Sequence, residues 1–201
     1  MTDERVSRRR FLTGVAAGSA AMGALALTHS VLPWGPFSLA DERRRLDAPQ
    51  RVPVNRTAAQ AGAVALASDP DWRLTLRNGA RTAVLSAHEL AGLPQRTETL
   101  PIACVEGWTA VADWSGVRLA ELMMLVGAGP GEDLRLRSLQ QRGAFSVTTM
   151  PAVYARDPLT LIALRLNGER LSLDHGYPAR VIAPGRPGVL QTKWLHTIEV
   201  L

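Results

Sequence analysis

The chain has 201 residues, 46% apolar and 20% charged, a balance that excludes a disordered, collagenous or coiled-coil protein and leaves room for one domain plus a short appendage. Its 17 glycines and 13 prolines favour strands and loops over a helical bundle. The net charge of +5 is arginine-based, 22 of 23 basic residues being Arg and Lys193 the one lysine; the arginines are scattered without an aromatic-interleaved basic patch, which excludes a nucleic-acid partner.

The N-terminus reads as an address. Ser7-Arg8-Arg9-Arg10-Phe11-Leu12 precedes an uncharged stretch over residues 13–39, rich in alanine and glycine from 14 to 27. A basic segment before a weakly apolar run is the layout of a signal peptide, and the paired arginines resemble the twin-arginine export signal. Ser38-Leu39-Ala40 offers a small-x-small cleavage site, whose use would leave a mature charge of +3. Residues 1–40 are therefore expected to be a twin-arginine signal peptide or an uncleaved anchor. Residues 41–51 read as a linker and 52–201 as the folded domain.

Within that domain, an alanine-rich run over 58–66 predicts one or two helical turns. Trp72–Leu76 alternates apolar and polar as a half-buried strand does, Asn78-Gly79 is a hairpin turn, and 82–85 is the return strand. Ser86 with Glu89 forms a capping box for a short helix closed by Leu93-Pro94. A strand over 97–103 ends in Cys104. A helix is expected from Leu119 to Val126, stopped by Gly127, then strands over 134–139, 145–149, 159–166, 179–183 and 197–201. The fold class is α+β, with a mixed, barrel-like β core and short helices between strands.

Two segments carry chemistry. The first is Cys104-Val105-Glu106-Gly107-Trp108. The one cysteine of the chain excludes an internal disulfide. Taken alone, Cys104 is open to three readings: a small apolar core residue, a nucleophile with His88, His175 or His196 as base, or a soft-metal ligand whose partner ligands come from a cofactor. The second segment runs from Asp174 to Trp194. There Arg180, Arg186 and Lys193 share a loop shaped by glycine and proline, suited either to solvent or to a phosphate-bearing ligand.

Together these segments resemble the sulfite oxidase family of molybdopterin enzymes, in style nearest its bacterial periplasmic methionine sulfoxide reductase branch. Cys104–Trp108 is similar to the family's cysteine motif. The Gly-x-Pro-x-Arg, Pro-x-x-x-Gly and Lys-Trp pattern over 176–194 is similar to its pterin-binding segment, and Trp114-Ser115-Gly116-Val117 and Asp157-Pro158-Leu159-Thr160-Leu161 also fit. The resemblance covers about 52–201. It implies a Mo-molybdopterin cofactor with Cys104 as metal ligand and, with Glu106, as the catalytic pair. It implies cofactor contacts from Asn55, Arg56, Ser138, His175, Arg180, Gln191, Thr192 and Lys193, although His175 stands where relatives often have asparagine. It further implies a sulfite-oxidase-type fold, here without the C-terminal immunoglobulin-like domain of the vertebrate and plant enzymes.

The implied activity is oxygen-atom transfer on a small-molecule or protein-bound substrate, a sulfoxide or N-oxide rather than sulfite, because Glu106 and Gly107 replace the residues that follow the cysteine in true sulfite oxidases. The chain has no Cys-x-x-Cys-His haem motif and no cysteine cluster, so a separate electron-transfer partner, such as a membrane cytochrome, is expected. The expected protein is an exported monomer in the periplasm or cell envelope. The alternatives are a non-catalytic module that binds the cofactor or a partner, and a Cys-His hydrolase.

Overall fold

The computed structural model describes residues 48–201 except Glu106 and Pro130. The expected export signal and residues 41–47 of the expected linker lie outside the described residues.

Among the described residues, ten strands and five short α-helices follow one another. Thr57 caps α1 (Ala58–Ala61) through a reciprocal pair of hydrogen bonds with Gln60, and α2 (Val64–Ala67) follows directly. The single alanine-rich run is thus two helices split at Gly62, whose N–H reaches back to Ala58 and Ala59. β1 (Arg73–Asn78) and β2 (Arg81–Ser86) form the expected hairpin. α3 (Ala87–Gly92) starts at the expected capping box, with Ser86 Oγ accepting from Glu89 N at 3.1 Å and a Glu89 carboxylate oxygen accepting from Ser86 N at 2.8 Å.

β3 (Arg96–Ala103) pairs antiparallel with β4 (Thr109–Arg118), a ten-residue strand that the sequence patterns do not predict. α4 (Leu119–Met124), β5 (Leu134–Ser138), β6 (Val147–Met150), α5 (Ala152–Ala155), β7 (Leu161–Leu166), β8 (Glu169–Arg170), β9 (Arg180–Ile182) and β10 (Leu195–Val200) complete the chain.

The strands form two sheets. The first has the order β2-β1-β10-β5-β6, with β10 parallel to β1 and antiparallel to β5. The second is antiparallel, β3-β4-β7, with β8 and β9 each paired with β7. One buried cluster lies between the first sheet, α3, α4 and β9, and includes Leu74, Leu76, Leu90, Leu122, Leu136 and Ile198. A second covers the other sheet around Trp114, Ala110, Leu161 and Ile182. Trp194 fills a third, small cluster with the alanines of α1 and α2. Many short strands and few helical turns make this the α+β architecture expected.

Gly116 shows how tightly β4 lies on β7. A Cβ built there would stand 2.0 Å from the Ile162 carbonyl oxygen and 2.7 Å from Ala163 Cα, both backbone atoms that cannot swing aside. The register shift between Ser115 and Gly116 brings the strands this close. Gly116→Ala is expected to force the strands apart and to cost on the order of 3 kcal/mol of stability, read as a lowered denaturant midpoint. An unchanged midpoint would contradict the packing described.

Candidate functional site

Cys104 sits at the tip of the β3–β4 hairpin. Its N–H donates to the Trp108 carbonyl at 2.9 Å, and Gly107 N–H donates back to the Cys104 carbonyl at 3.0 Å, which closes a compact loop at the strand ends. Glu106 in the same loop lies outside the described residues. The Asp174–Trp194 segment comes from another part of the sequence and is fastened next to this hairpin. Val181 N donates to Thr192 O at 2.9 Å, and Leu195 N to Ala179 O at 2.8 Å, so the two arms of the loop run side by side. Gly188 lets the loop touch the hairpin, since a Cβ there would meet the Ala103 carbonyl oxygen at 2.8 Å.

Between the two segments lies a cleft of about 750 Å³, its mouth included. Asn55, Arg56, Cys104, His175, Arg180, Gln191, Thr192 and Lys193 all line it. Ser138 does not: its hydroxyl donates to the Lys193 carbonyl at 2.7 Å and accepts from Gln140 N at 3.1 Å, so it holds the loop from behind. Trp108, absent from the sequence-predicted site residues, also lines the cleft. The signal for it was the motif itself, whose indole lies four residues beyond the cysteine.

The cations determine the electrostatics. Arg180 is only 4% exposed, and no carboxylate among the described residues pairs with it. It donates to the His175 carbonyl at 3.0 Å, lies 5.0 Å over the Trp114 ring, and leaves its buried Nε without a partner among the described residues. Burial pulls its pKa down to about 9, so it remains charged at neutral pH. Lys193 Nζ donates to the Arg56 carbonyl at 2.5 Å and to the Asp174 carbonyl at 2.8 Å, leaving one of its three protons for a ligand. Burial, and then the neighbouring Arg180, lower its pKa to about 7. An anion bound beside it would draw the proton back. Asp174 is the one described carboxylate in the lining against the cations Arg56, Arg180 and Lys193, and its Oδ1 already accepts from Ala58 N at 2.8 Å.

The amide of Gln191 donates to the Ala183 and Arg186 carbonyls at 3.3 and 2.8 Å, while its buried oxygen has no partner among the described residues. Thr192 shares a hydrogen bond of 3.0 Å with Thr148. Arg56 donates to the Arg142 carbonyl at 2.8 Å and, like Arg180, has a buried Nε without a partner among the described residues.

His175 has a structural task. Its Nε2 must be the protonated nitrogen, because it lies 2.9 Å from the Val52 carbonyl, an acceptor only; its Nδ1 then accepts from Ser172 Oγ at 2.9 Å. Neither nitrogen is left over for a phosphate or for deprotonating Cys104. His88 and His196 are exposed and stand outside the cleft lining. A thiolate–imidazole pair of the hydrolase type therefore has no support among the described residues.

Burial, followed by the nearby Arg180, depresses the pKa of His175 to about 4 from its ordinary 6.5. As pH falls, the unfolded chain takes up this proton first. The stability contributed by the neutral ring is full above pH 6.5 and is lost between 6.5 and 4, on the order of 3 kcal/mol. In His175→Gln, whose amide can still donate to Val52, the loss of denaturation midpoint between pH 7 and pH 4.5 should be visibly smaller. An equal loss would place the titration elsewhere.

An anionic, ring-bearing cofactor with a soft metal fits this donor set. Arg180 and Lys193 provide charge for a phosphate, and the unpartnered Gln191 oxygen can accept from a ring N–H. Cys104 provides a soft ligand. Among the described residues no three of His, Cys, Asp and Glu gather as a protein-only metal site, so the remaining ligands would come from the cofactor.

Comparison with known proteins agrees. Residues 61–201 match the oxidoreductase molybdopterin binding domain. The chain is 31% identical over 155 residues to mitochondrial sulfite oxidase of Drosophila melanogaster, covering 65% of this chain and 27% of that protein. It is 31% identical over 113 residues to the putative protein-methionine-sulfoxide reductase subunit YedZ1 of Azospira oryzae, covering 56% of this chain and 42% of that one. It thus spans less than half the length of either relative. Among solved structures, the sulfane dehydrogenase SoxCD of Paracoccus pantotrophus superposes with a TM-score of 0.58 at 24% identity, over 65% of this chain and 38% of that one, a likeness of fold. On the family match, the folded part of this chain belongs to the oxidoreductase molybdopterin-binding domain family, and the cofactor that its cleft is built for is Mo-molybdopterin.

Proposed function

We propose that the protein is an exported molybdenum oxidoreductase that moves an oxygen atom to or from a small-molecule or protein-bound substrate and exchanges electrons with a separate redox protein. The observation that carries this reading is the convergence of Cys104 with Arg180 and Lys193 on one cleft. When bound, the cofactor supplies a metal that changes oxidation state and can give up or take an oxygen atom. The chain does the rest. Cys104 offers a thiolate to the metal, and Arg180 and Lys193 hold the phosphate end. Gln191 orients the ring edge, and Arg56 lines the entrance. Ser138 acts behind the lining by fixing the Lys193 backbone, and His175 acts within it by fixing Val52. Glu106, two residues after the cysteine, is assigned a catalytic role on the motif.

The test is molybdenum and pterin analysis of protein from an export-competent host that makes the cofactor, followed by turnover with a reduced dye and a panel of sulfoxides and N-oxides. Absence of molybdenum would defeat the reading. Stoichiometric metal without turnover on any acceptor would favour a cofactor-binding module instead. A sulfoxide or N-oxide is favoured over sulfite because Glu106 and Gly107 follow the cysteine. The one cysteine of the chain and its lack of a haem motif support a separate electron partner, such as a membrane cytochrome.

Export rests on Arg8 and Arg9. Replacing both by lysine keeps the charge but not the paired guanidinium groups that an export receptor reads. The variant is expected to accumulate folded in the cytoplasm. Normal periplasmic accumulation would defeat the twin-arginine reading.

A further inference from the structure

Three residues at the cleft mouth form a chain of hydrogen bonds whose direction is fixed by chemistry. Trp108 is 8% exposed, and its indole N–H can only donate. It points at the side-chain oxygen of Asn55, 2.7 Å away. The other end of that amide must then be the NH₂ group, and this group donates to Cys104 Sγ. The indole thus removes the usual ambiguity of an asparagine side chain and turns its NH₂ toward the sulfur.

The backbone around Asn55 is equally constrained. Val52 O accepts from His175 at 2.9 Å, Arg56 O from Lys193 at 2.5 Å, and Ala58 N donates to Asp174 at 2.8 Å. Each of these partners belongs to the basic segment across the cleft. The backbone at Asn55 is therefore anchored on both sides, so that only a turn of its side chain would take the amide away from the sulfur.

We infer that Asn55, aimed by Trp108, donates a hydrogen bond to the metal-ligating sulfur and thereby raises the reduction potential of the bound molybdenum. The inference rests on the reading of Cys104 as the metal ligand. A thiolate that accepts a hydrogen bond gives less electron density to the metal. The oxidised metal gains most from that density, so its stabilisation falls and reduction becomes easier. Asn55 is a tuning residue toward the metal, and Trp108 a positioning residue that acts through it.

The test uses holoprotein, titrated potentiometrically with dithionite and mediators and followed by the paramagnetic signal of the one-electron-reduced metal and by the sulfur-to-molybdenum absorption band. Asn55→Leu keeps the bulk and removes the donor. At the poise where the parent is half reduced, this variant should favour the oxidised metal by about tenfold, a potential lower by roughly 59 mV, with a shifted absorption band. Asn55→Asp, which puts a carboxylate against the sulfur, should move the potential further the same way. Trp108→Phe, which frees the amide to turn, should move it less.

A purely structural role would lower cofactor content or stability and leave the potential unmoved. Oxidised-to-reduced ratios within a factor of two of the parent's at that poise, in all metal-bearing variants, would overturn the inference. Should Asn55→Leu retain too little metal for titration, the potential of Trp108→Phe decides between the two outcomes. In metal-free protein the Trp108 indole N–H resonance must also move upfield when Asn55 becomes Leu, and an unmoved resonance would overturn the aiming. A parent protein that holds molybdenum but lacks the sulfur-to-molybdenum band would defeat the ligand assignment itself, a failure distinct from an unchanged potential.

Discussion

Arg180→Ala is expected to emerge from an export-competent host almost empty of molybdenum. The guanidinium is buried with no carboxylate partner among the described residues, and a charge so placed is costly unless a ligand neutralises it. Its loss removes a charge-assisted contact worth about 1.5–3 kcal/mol, or roughly ten- to a hundredfold in cofactor retention. Arg135→Ala is the control. Arg135 lies on β5, half exposed, 3.2 Å from Glu199, an ion pair of the kind worth at most about 1 kcal/mol. It should keep its metal.

A second comparison separates binding from folding. Arg180→Met fills the same space without the charge, so the metal-free variant should be as stable as the metal-free parent or more so, while its metal content falls as in the alanine variant. Equal molybdenum in Arg180→Ala, Arg135→Ala and the parent would reduce the 175–193 segment to an ordinary loop and leave the cofactor assignment resting on Cys104.

Cys104→Ser should leave the fold intact and abolish the optical signature of the metal–sulfur bond. The side chain sits at a hairpin tip held by backbone hydrogen bonds, so the substitution disturbs little packing. A hydroxyl is a harder and far less acidic ligand than a thiol. The sulfur-to-molybdenum band should vanish, and activity should fall by more than the roughly 10–100-fold that loss of a contact behind the ligand costs. Metal content should fall less than in Arg180→Ala, because the basic loop still holds the cofactor. An unchanged visible spectrum in metal-loaded variant protein would defeat the ligand assignment.

Elements with strong local signals were legible in the sequence. The Asn78-Gly79 hairpin, the Ser86–Glu89 capping box and the apolar run of β7 each lie within a residue or two of their expected bounds. β4 was not legible, although it is the longest strand among the described residues, because its inward positions are Ala110, Ala112, Trp114 and Gly116. Alanine and glycine carry almost no strand preference. At Gly116 the closeness of β7 requires the small residue, which is a tertiary demand. α5 was missed for a related reason, being one turn held by Pro151 and Asp133 rather than by any periodicity.

At the site, residue types were readable and roles less so. Arg180 and Lys193 could be picked out as the basic members of a glycine-shaped loop. That His175 would brace Val52, that Ser138 would stand behind the lining, and that Trp108 would steer Asn55 all depend on partners up to 123 positions away in the sequence.

The parallel pairing of β1 with β10 bears on how the molecule assembles. Thr75 meets Thr197 across the centre of the first sheet, and the gripping residues Gln191, Thr192 and Lys193 enter β10 directly. Such pairing at long sequence separation is entropically late and slows folding. The basic wall of the cleft and the middle of the sheet should therefore form in one step. Before that step there is no partial pocket to capture the cofactor. After it, a bound cofactor locks the loop that leads into β10, so dissociation and unfolding are coupled. Loaded protein should unfold more slowly than empty protein, with amide exchange most retarded along β1 and β10.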